Sequence, residues 1–238
     1  LEIAREKAEK SEELKKLGIT PTEKKLNQLD KYYELLIQYN SVMNLTGITE
    51  KKQVYLKHFY DSLCIVKVID LSSQENLCDV GTGAGFPGIV LKIFYPNLKI
   101  TLLDSLNKRI EFLNIVIKNL ELNNIEAIHC RAEEYALQNR EKYDVVTSRA
   151  VTKLNILSEL SIPMVKVNKY FIPLKANLTE ELEESKNALK KLNSKIIKIE
   201  HFLLPIEESN RTILKIQKLS PTLKLFPRKY SVIKKNPL

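Results

Sequence analysis

A chain of 238 residues can bury one sizeable core and a small accessory lobe. No apolar run approaches the roughly 20 residues that cross a bilayer, and no export signal is recognisable, so we expect a cytoplasmic protein without a membrane anchor. Three scattered cysteines, Cys64, Cys78 and Cys130, form no C-x-x-C pair, which predicts free thiols rather than disulfides or a metal site.

The first seventy residues carry helical patterns. Between residues 19 and 40, apolar side chains recur every three or four positions, and Thr20 followed by Pro21 is typical of a helix start. These apolar positions are Leu26, Leu29, Tyr33, Leu36 and Ile37. A second helix is predicted from about Lys51 to Ile69. We therefore expect an N-terminal helical lobe over residues 1–72.

From Asn76 onward, short apolar runs alternate with helical patterns, which is typical of βαβ units around a parallel sheet. Strands are predicted over 77–80, 99–103, 127–130, 144–147 and 170–174, and helices over 86–95, 106–120 and 177–192. Residues 194–204 and 211–219 alternate apolar and polar side chains, which predicts a closing antiparallel pair. Residues 73–238 thus read as an α/β domain with helices on both faces of a mostly parallel sheet.

The stretch "DVGTGAGFPG", residues 79–88, holds four of the six glycines in the chain and follows the first predicted strand. Gly83, Gly85 and Gly88 spell the G-x-G-x-x-G of dinucleotide sites. Gly81, Gly83 and Gly85 spell a G-x-G-x-G that is common where S-adenosylmethionine (SAM) binds. Both patterns require a loop between a strand and a helix, so this context does not choose between them.

Charge favours SAM over a dinucleotide. A pyrophosphate binds bare backbone N–H groups at a helix N-terminus, and the carboxylate of Asp79, directly before the loop, would repel it. SAM has no phosphate but carries an ammonium and a sulfonium, which a carboxylate favours. We therefore predict that Asp79 compensates the cationic end of SAM.

Two further positions fit a nucleoside cofactor. Asp104, about 20 residues beyond the loop, closes the second strand, where an acidic side chain hydrogen-bonds ribose hydroxyls. The alternative for Asp104 is the N-cap of the helix that follows. Ala132 and Glu133, after the third strand, would lie where an adenine ring passes. NAD and SAM share both groups, so neither position separates them.

The residue after the fourth strand bears on the methyl acceptor. Methylation at cytosine C5 needs a nucleophilic cysteine, and exocyclic amino methylation usually shows an acid-or-Asn, Pro, Pro, aromatic turn; neither follows this strand. Arg149 occupies the position instead. A guanidinium is a poor base, but it binds phosphates through two N–H groups and stacks on guanine. Because guanine N7 has an exposed lone pair, we expect Arg149 to position such an acceptor without a general base.

The net charge of +9 is concentrated at the C-terminal end. Residues 1–150 carry 21 basic and 21 acidic side chains, whereas residues 211–238 carry eight basic and no acidic ones. A solvated tail is one interpretation, but a patch of this density attracts phosphate backbones. We therefore predict a nucleic-acid surface there.

Seven segments together resemble a known family. They are "YNSVMNLTGI", "KHFYDSL", "DVGTGAGFPG", "LLDSLNKRIEFL", "RAEEY", "SRAV" and "PRKYSVIKKNPL", spread over residues 39–238. In this order they resemble the bacterial small-subunit ribosomal RNA N7-guanine methyltransferases, the RsmG or GidB family. The resemblance implies SAM-dependent transfer of a methyl group to N7 of a guanine in 16S rRNA. We expect a class I, Rossmann-like fold that acts as a monomer without a metal.

The resemblance also implies site residues. It places Gly81 and Phe86 on the cofactor, Ala132 and Glu133 near its adenosine, and Arg149 between cofactor and RNA. The glycine pattern itself adds Gly83 and Gly85 to the expected cofactor contacts. Lys108 and Arg109 look like a basic pair beside the pocket. The tail cations expected to contact RNA are Arg228, Lys229, Lys234 and Lys235. The family tail usually has a Gly and a Pro where this chain has residues 230–233, so the path of the tail is the weakest part of the match.

Some features and alternatives stay open at this point. His58 and Asp61 in "KHFYDSL" match family positions, either as a buried pair that ties the helical lobe to the sheet or as pocket residues. His129 and His201 are expected beside strands without function. An NAD-dependent oxidoreductase and a basic RNA-binding assembly protein without activity are the two competing functional hypotheses.

Overall fold

A computed structural model of the protein describes residues 2–149 and 152–238. Ala150 and Val151, in the "SRAV" segment, lie outside the described residues. No described helix is both long enough and apolar enough to cross a membrane.

The chain begins with two long helices, α1 (Glu2–Lys15) and α2 (Glu23–Met43). Helix α2 starts two residues later than predicted, because Thr22 rather than Thr20 caps it and its side chain accepts a hydrogen bond from the Lys25 backbone N–H. An unpaired N–H at the helix start is thereby satisfied.

The second predicted helix is present but irregular. Helix α3 (Lys51–Val54) continues through a π-helical segment (Tyr55–Tyr60), helix α4 (Asp61–Leu63) and a 3₁₀ turn (Cys64–Lys67). A π-helical segment changes the direction of the side chains relative to a regular helix. Here it brings His58 and Asp61 to the edge of the sheet described below.

The remainder is a βαβ domain that closes with an antiparallel pair, as predicted. A 3₁₀ turn (Leu71–Ser73) leads into the sheet, and another (Ile162–Met164) precedes its fifth strand. The strands are β1 (Asn76–Val80), β2 (Lys99–Asp104), β3 (Ile125–His129), β4 (Tyr143–Arg149), β5 (Val165–Lys175), β6 (Ser194–Leu203) and β7 (Asn210–Lys218). The helices are α5 (Gly88–Phe94), α6 (Asn107–Asn119), α7 (Ala132–Gln138), α8 (Leu154–Ser161), α9 (Thr179–Lys191) and α10 (Tyr230–Lys235).

The strand order is β3-β2-β1-β4-β5-β7-β6, with β1 to β5 parallel and β7 antiparallel to both of its neighbours. The chain order reverses between β1 and β4. Open α/β sheets bind ligands at the carboxyl edge beside such a reversal. The glycine-rich loop after β1 and Arg149 at the end of β4 therefore meet at this edge.

Two buried clusters lie on opposite faces of the sheet. On one face, Leu77 and Leu102 pack with residues of the N-terminal helices, α5 and α6. On the other, Cys78 and Leu103 pack with residues of α7, α8 and α9. Neighbouring strand residues point to opposite faces, so each strand contributes to both cores. The predicted α/β class, with helices on both faces, is confirmed.

Candidate active site

The glycine-rich loop is hydrogen-bonded to the neighbouring strand β2. The backbone N–H groups of Gly81 and Thr82 donate to the Leu103 carbonyl at 2.9 and 3.1 Å. Gly81, Gly83 and Gly85 have φ values of +66°, +60° and +104°. Side chains are strained at these angles, which explains glycine at each position.

Two of the glycines allow close packing. A Cβ on Gly85 would lie 2.5 Å from the Tyr32 hydroxyl oxygen of α2, and a Cβ on Gly88 would lie 2.2 Å from Cδ2 of Leu102. The Tyr32 hydroxyl also donates to the Ala84 carbonyl. The N-terminal helices thus pack directly beneath the loop.

Asp79 lies beneath the glycine-rich loop. Its carboxylate is fully buried and accepts hydrogen bonds from the Thr82 hydroxyl at 2.7 Å and the Gly88 N–H at 2.8 Å. It does not line the cavity described next. Burial raises its pKa to about 7, opposed by those two hydrogen bonds and by the positive charge of Arg149. Asp79 therefore holds the loop on α5, and direct pairing with a cofactor cation is not supported.

A cavity of about 570 Å³ opens at the carboxyl edge, within the usual size range of small-molecule sites. Its walls combine the loop, the ends of β2 and β4, and the segment after β3. The predicted residues that line it are Gly81, Gly83, Phe86, Asp104, Arg109, Ala132, Glu133 and Arg149. Gly85 lies behind the wall, and Lys108 is exposed on α6 outside the cavity.

Asp104 lies in the cavity wall and organises its surroundings. Its carboxylate accepts hydrogen bonds from the backbone N–H groups of Gly83 at 2.9 Å and Leu106 at 3.0 Å. Arg109 pairs with it at 3.3 Å. Leu106, not Asp104, is the N-cap residue of α6. The N-cap alternative is therefore wrong, and a ribose role stays a prediction.

Arg149 is held from several directions. Its guanidinium donates to the Lys57 carbonyl at 2.8 Å and to Nδ1 of His58 at 2.9 Å, and it lies 3.5 Å from the buried carboxylate of Asp61. Its charge also lies over the Phe86 ring, 5.2 Å from the centroid. The side chain is only 17% exposed. Its contacts to Lys57, His58 and Asp61 therefore fix the direction of the guanidinium before any ligand binds.

His58 serves both interpretations left open above. It lines the cavity, and it joins the N-terminal helices to the end of β4 through Arg149. Since Nδ1 accepts from Arg149, Nε2 carries the proton and donates to the Thr46 hydroxyl at 2.9 Å. The imidazole stacks on Phe86, with centroids 4.4 Å apart. Asp61 is buried and accepts a second pairing from Arg211 at 3.1 Å.

Burial and the nearby charge of Arg149 lower the pKa of His58 from 6.5 to about 3. Between these two values the unfolded chain binds a proton that the folded chain does not. The contribution of His58 to stability is therefore complete above pH 6.5 and is lost as pH falls toward 3.

Replacing His58 with glutamine should make the free energy of unfolding less sensitive to acid. From pH 7 to pH 5 the wild type should lose about 2 kcal/mol through this group, and the variant should not. Urea denaturation of both proteins at the two pH values measures the difference. Titration of Asp79 contributes to both proteins and cancels. Equal losses would contradict a neutral, buried histidine.

At the end of the cavity that follows β3, the sequence predicted Glu133 but neither Arg131 nor Tyr230. Arg131 pairs with Glu133 at 2.8 Å, and its guanidinium lies over the ring of Tyr230, 4.8 Å from the centroid. Tyr230 belongs to α10 and lines the cavity. The sequence drew attention to this segment for its basic charge and its family match, and no local pattern placed Tyr230 at the cavity.

The tail cations differ in their surroundings. Lys229, Lys234 and Lys235 are exposed. Arg228 instead pairs with the fully buried carboxylate of Glu159 through Nε at 3.0 Å and Nη2 at 2.8 Å, and its backbone N–H donates to the same group. The structure gives the predicted RNA contact of Arg228 no support, because this guanidinium neutralises an internal charge.

The two remaining histidines lie in strands, and the cysteines form no disulfide. His129 in β3 hydrogen-bonds the Ser105 carbonyl, and His201 in β6 hydrogen-bonds the Thr212 hydroxyl. All three cysteines are free thiols. Over residues 2–149 and 152–238, no group of His, Cys, Asp and Glu side chains has the arrangement of a metal site.

Comparison with known proteins gives a family. A family model described as rRNA small subunit methyltransferase G matches residues 25–211. The chain belongs to this family. The protein named ribosomal RNA small subunit methyltransferase G in Bacillus licheniformis is 50% identical over 228 residues, 94% of this chain and 95% of that protein. The protein of the same name in Bacillus subtilis is 46% identical over 224 residues, 93% and 94% of the two chains.

Solved structures share the fold at low identity. Methanococcus jannaschii TYW2 in complex with AdoMet matches with a TM-score of 0.51 and 17% identity, covering 61% of this chain and 70% of that one. The fibrillarin pre-rRNA processing protein of the same organism has a TM-score of 0.51 and 16% identity, covering 66% and 74%. Family and fold confirm the predicted resemblance, the methyltransferase class and SAM as the cofactor. They leave the NAD and assembly-protein hypotheses without support.

The cavity residues fit the cofactor of this family. Gly81 and Gly83 bring bare backbone to one wall, where a side chain would restrict a ligand. Asp104 supplies carboxylate oxygens suited to ribose hydroxyls, and Glu133 lies at the end reached after β3. These three groups would hold SAM.

Proposed function

We propose that this protein transfers the methyl group of SAM to N7 of a guanine in the 16S rRNA of the small ribosomal subunit. The proposal includes action in the cytoplasm, where that RNA is made, and action as a monomer. Light scattering tests the monomer.

The observation that carries the choice of N7 is that the described part of the cavity offers no free general base. Both ring nitrogens of His58 are engaged, Asp104 accepts from two N–H groups and faces Arg109, and Glu133 pairs with Arg131. Burial raises the pKa of the Cys130 thiol, so it is not a ready nucleophile. Such a cavity suits an acceptor atom that already has a free lone pair, and guanine N7 has one.

Bound SAM supplies an electrophilic methyl group. The protein then needs to hold the guanine so that N7 faces that group, and Arg149 is the residue suited to this task. Its guanidinium can fork a phosphate or stack on the base, and its contacts to Lys57, His58 and Asp61 fix its direction in advance. Positioning without proton transfer is sufficient for this acceptor.

Two measurements test the proposal. Calorimetry should show saturable binding of SAM and S-adenosylhomocysteine and none of NAD. Unmodified 16S rRNA incubated with the protein and SAM should then break at one guanine after reduction and aniline treatment, which cleave at N7-methylguanosine. Binding of NAD alone, or methyl incorporation without aniline cleavage, would overturn the proposed reaction.

RNA binding should depend on the exposed tail lysines. Replacing Lys229, Lys234 and Lys235 with alanine should weaken RNA binding and lower the slope of log affinity against log salt by roughly 2 to 3, since each lost phosphate contact contributes roughly 0.7 to 0.9. Affinity for S-adenosylhomocysteine should stay nearly unchanged. Fluorescence anisotropy over a series of salt concentrations measures the slope.

A variant with the same charge change is the control. Lys16, Lys24 and Lys31 are exposed on or beside the first two helices, and their replacement with alanine should leave the salt slope within error. If both triple variants behave alike, net charge alone drives binding. If the tail variant keeps the wild-type slope, RNA docks elsewhere.

A further inference from the structure

The C-terminal segment enters the cofactor cavity. Of the described residues that line the cavity, Tyr230 is the only one beyond Leu160 in the chain. It comes from helix α10, within the segment where this chain departs from the family tail. Its position therefore calls for an explanation specific to this sequence.

The C-terminal segment contacts helix α8 on both sides of Tyr230. Before it, Arg228 pairs with buried Glu159 of α8. After it, Ile233 is fully buried against Ile156 and Leu160, which also belong to α8. A tyrosine between two such anchors has little freedom to leave the cavity wall.

The ring lies at the end of the cavity reached after β3. Arg131 covers it with the guanidinium carbon 4.8 Å from the centroid, and Arg131 is in turn held by Glu133 at 2.8 Å. The Tyr230 hydroxyl makes no hydrogen bond to a described residue, so the ring rather than the hydroxyl accounts for its contacts. A flat ring beside Ala132 and Glu133 offers a surface on which a purine can pack.

We infer that Tyr230 is a cofactor-binding residue that packs against the adenine of bound SAM, so that the C-terminal tail forms part of the cofactor pocket as well as the basic surface. This inference rests on the proposed function, because it requires SAM in the cavity. The charged partner of the ring, Arg131, lies directly over it and holds the tyrosine in the cavity wall.

Calorimetry with S-adenosylhomocysteine tests the inference without any methyl transfer. Tyr230→Ala should weaken binding about tenfold or more, the scale of one base on one aromatic side chain. Tyr230→Phe should bind like the wild type. Val232→Ala, an exposed position on the same helix, is the matched control and should also bind like the wild type. Thermal melts establish that each variant is folded.

A ligand fragment locates the contact. 5′-Methylthioadenosine carries the adenosyl part but lacks the amino acid part, so Tyr230→Ala should weaken its binding by the same factor. A folded Tyr230→Ala variant with wild-type affinity, a loss confined to S-adenosylhomocysteine, or an equal loss in Val232→Ala would overturn the inference. Failure of the proposed function is distinguishable. If SAM does not occupy the cavity, wild-type protein binds neither compound, and a failure of N7 transfer appears in the aniline cleavage and not in these affinities.

Discussion

Arg149→Ala is expected to lower the single-turnover rate of methyl transfer about 100-fold, because misplacement of a reacting group by about 1 Å has an effect of that size. RNA affinity should change far less, since one phosphate or stacking contact is a small part of a basic surface. The variant should fold, because Asp61 keeps its pairing with Arg211 at 3.1 Å. Quenched-flow methylation with the protein and SAM in excess over RNA measures the rate, and anisotropy measures RNA affinity.

Two related variants sharpen this prediction. Arg149→Lys keeps the charge but loses the planar fork, and should recover only a small part of the rate. Arg211→Ala removes the other partner of Asp61 without touching the cavity, and should reduce stability more than rate. If Arg149→Ala lowers RNA affinity and rate by the same factor, Arg149 is a binding contact and does not position the acceptor.

Arg228→Ala should destabilise the fold by about 3 to 5 kcal/mol, the usual cost of removing one partner from a buried ion pair. Glu159 is fully buried, and in the described structure its two carboxylate oxygens bond only to Arg228. Without the guanidinium the carboxylate is left in an apolar interior. Urea denaturation at pH 7 measures the loss.

Adding Glu159→Gln to the Arg228→Ala variant should recover part of this stability. The neutral amide needs no counter-charge, and its oxygen can still accept from the backbone N–H of residue 228. Lys229→Ala, next in the chain and exposed, should change stability by less than about 0.5 kcal/mol. A loss in Arg228→Ala no larger than that of Lys229→Ala would show that the pair is not structural.

The sequence predicted the sheet and the loop because both depend on short-range patterns. The apolar runs that form β1 to β7 are local in the sequence. Glycine at 81, 83 and 85 is required by the positive φ angles of the loop, which are also a local property. Helix starts were less accurate. Thr20 and Thr22 are both plausible caps, and the choice depends on where α2 packs.

The surroundings of several side chains could not be predicted from the sequence. Asp79 stands one residue from a cavity wall but points beneath the loop, because Thr82 and Gly88 close around it. Arg228 sits in a basic tail but meets Glu159, 69 residues earlier in the chain. Tyr230 reaches the cavity only because α10 docks on α8. Long-range packing decides all three.

The contact between Tyr32 and the loop has a consequence for local opening. The hydroxyl of Tyr32 holds the Ala84 carbonyl, and its ring stacks on Phe59 and Phe86. Loops that bind ligands often open independently of the rest of a fold. The backbone N–H groups of Gly85 and Phe86 donate to the Thr82 carbonyl. We expect their hydrogens to exchange with solvent as slowly as the buried amide hydrogens of α2. The helical segment and the glycine-rich loop would then open as one cooperative unit.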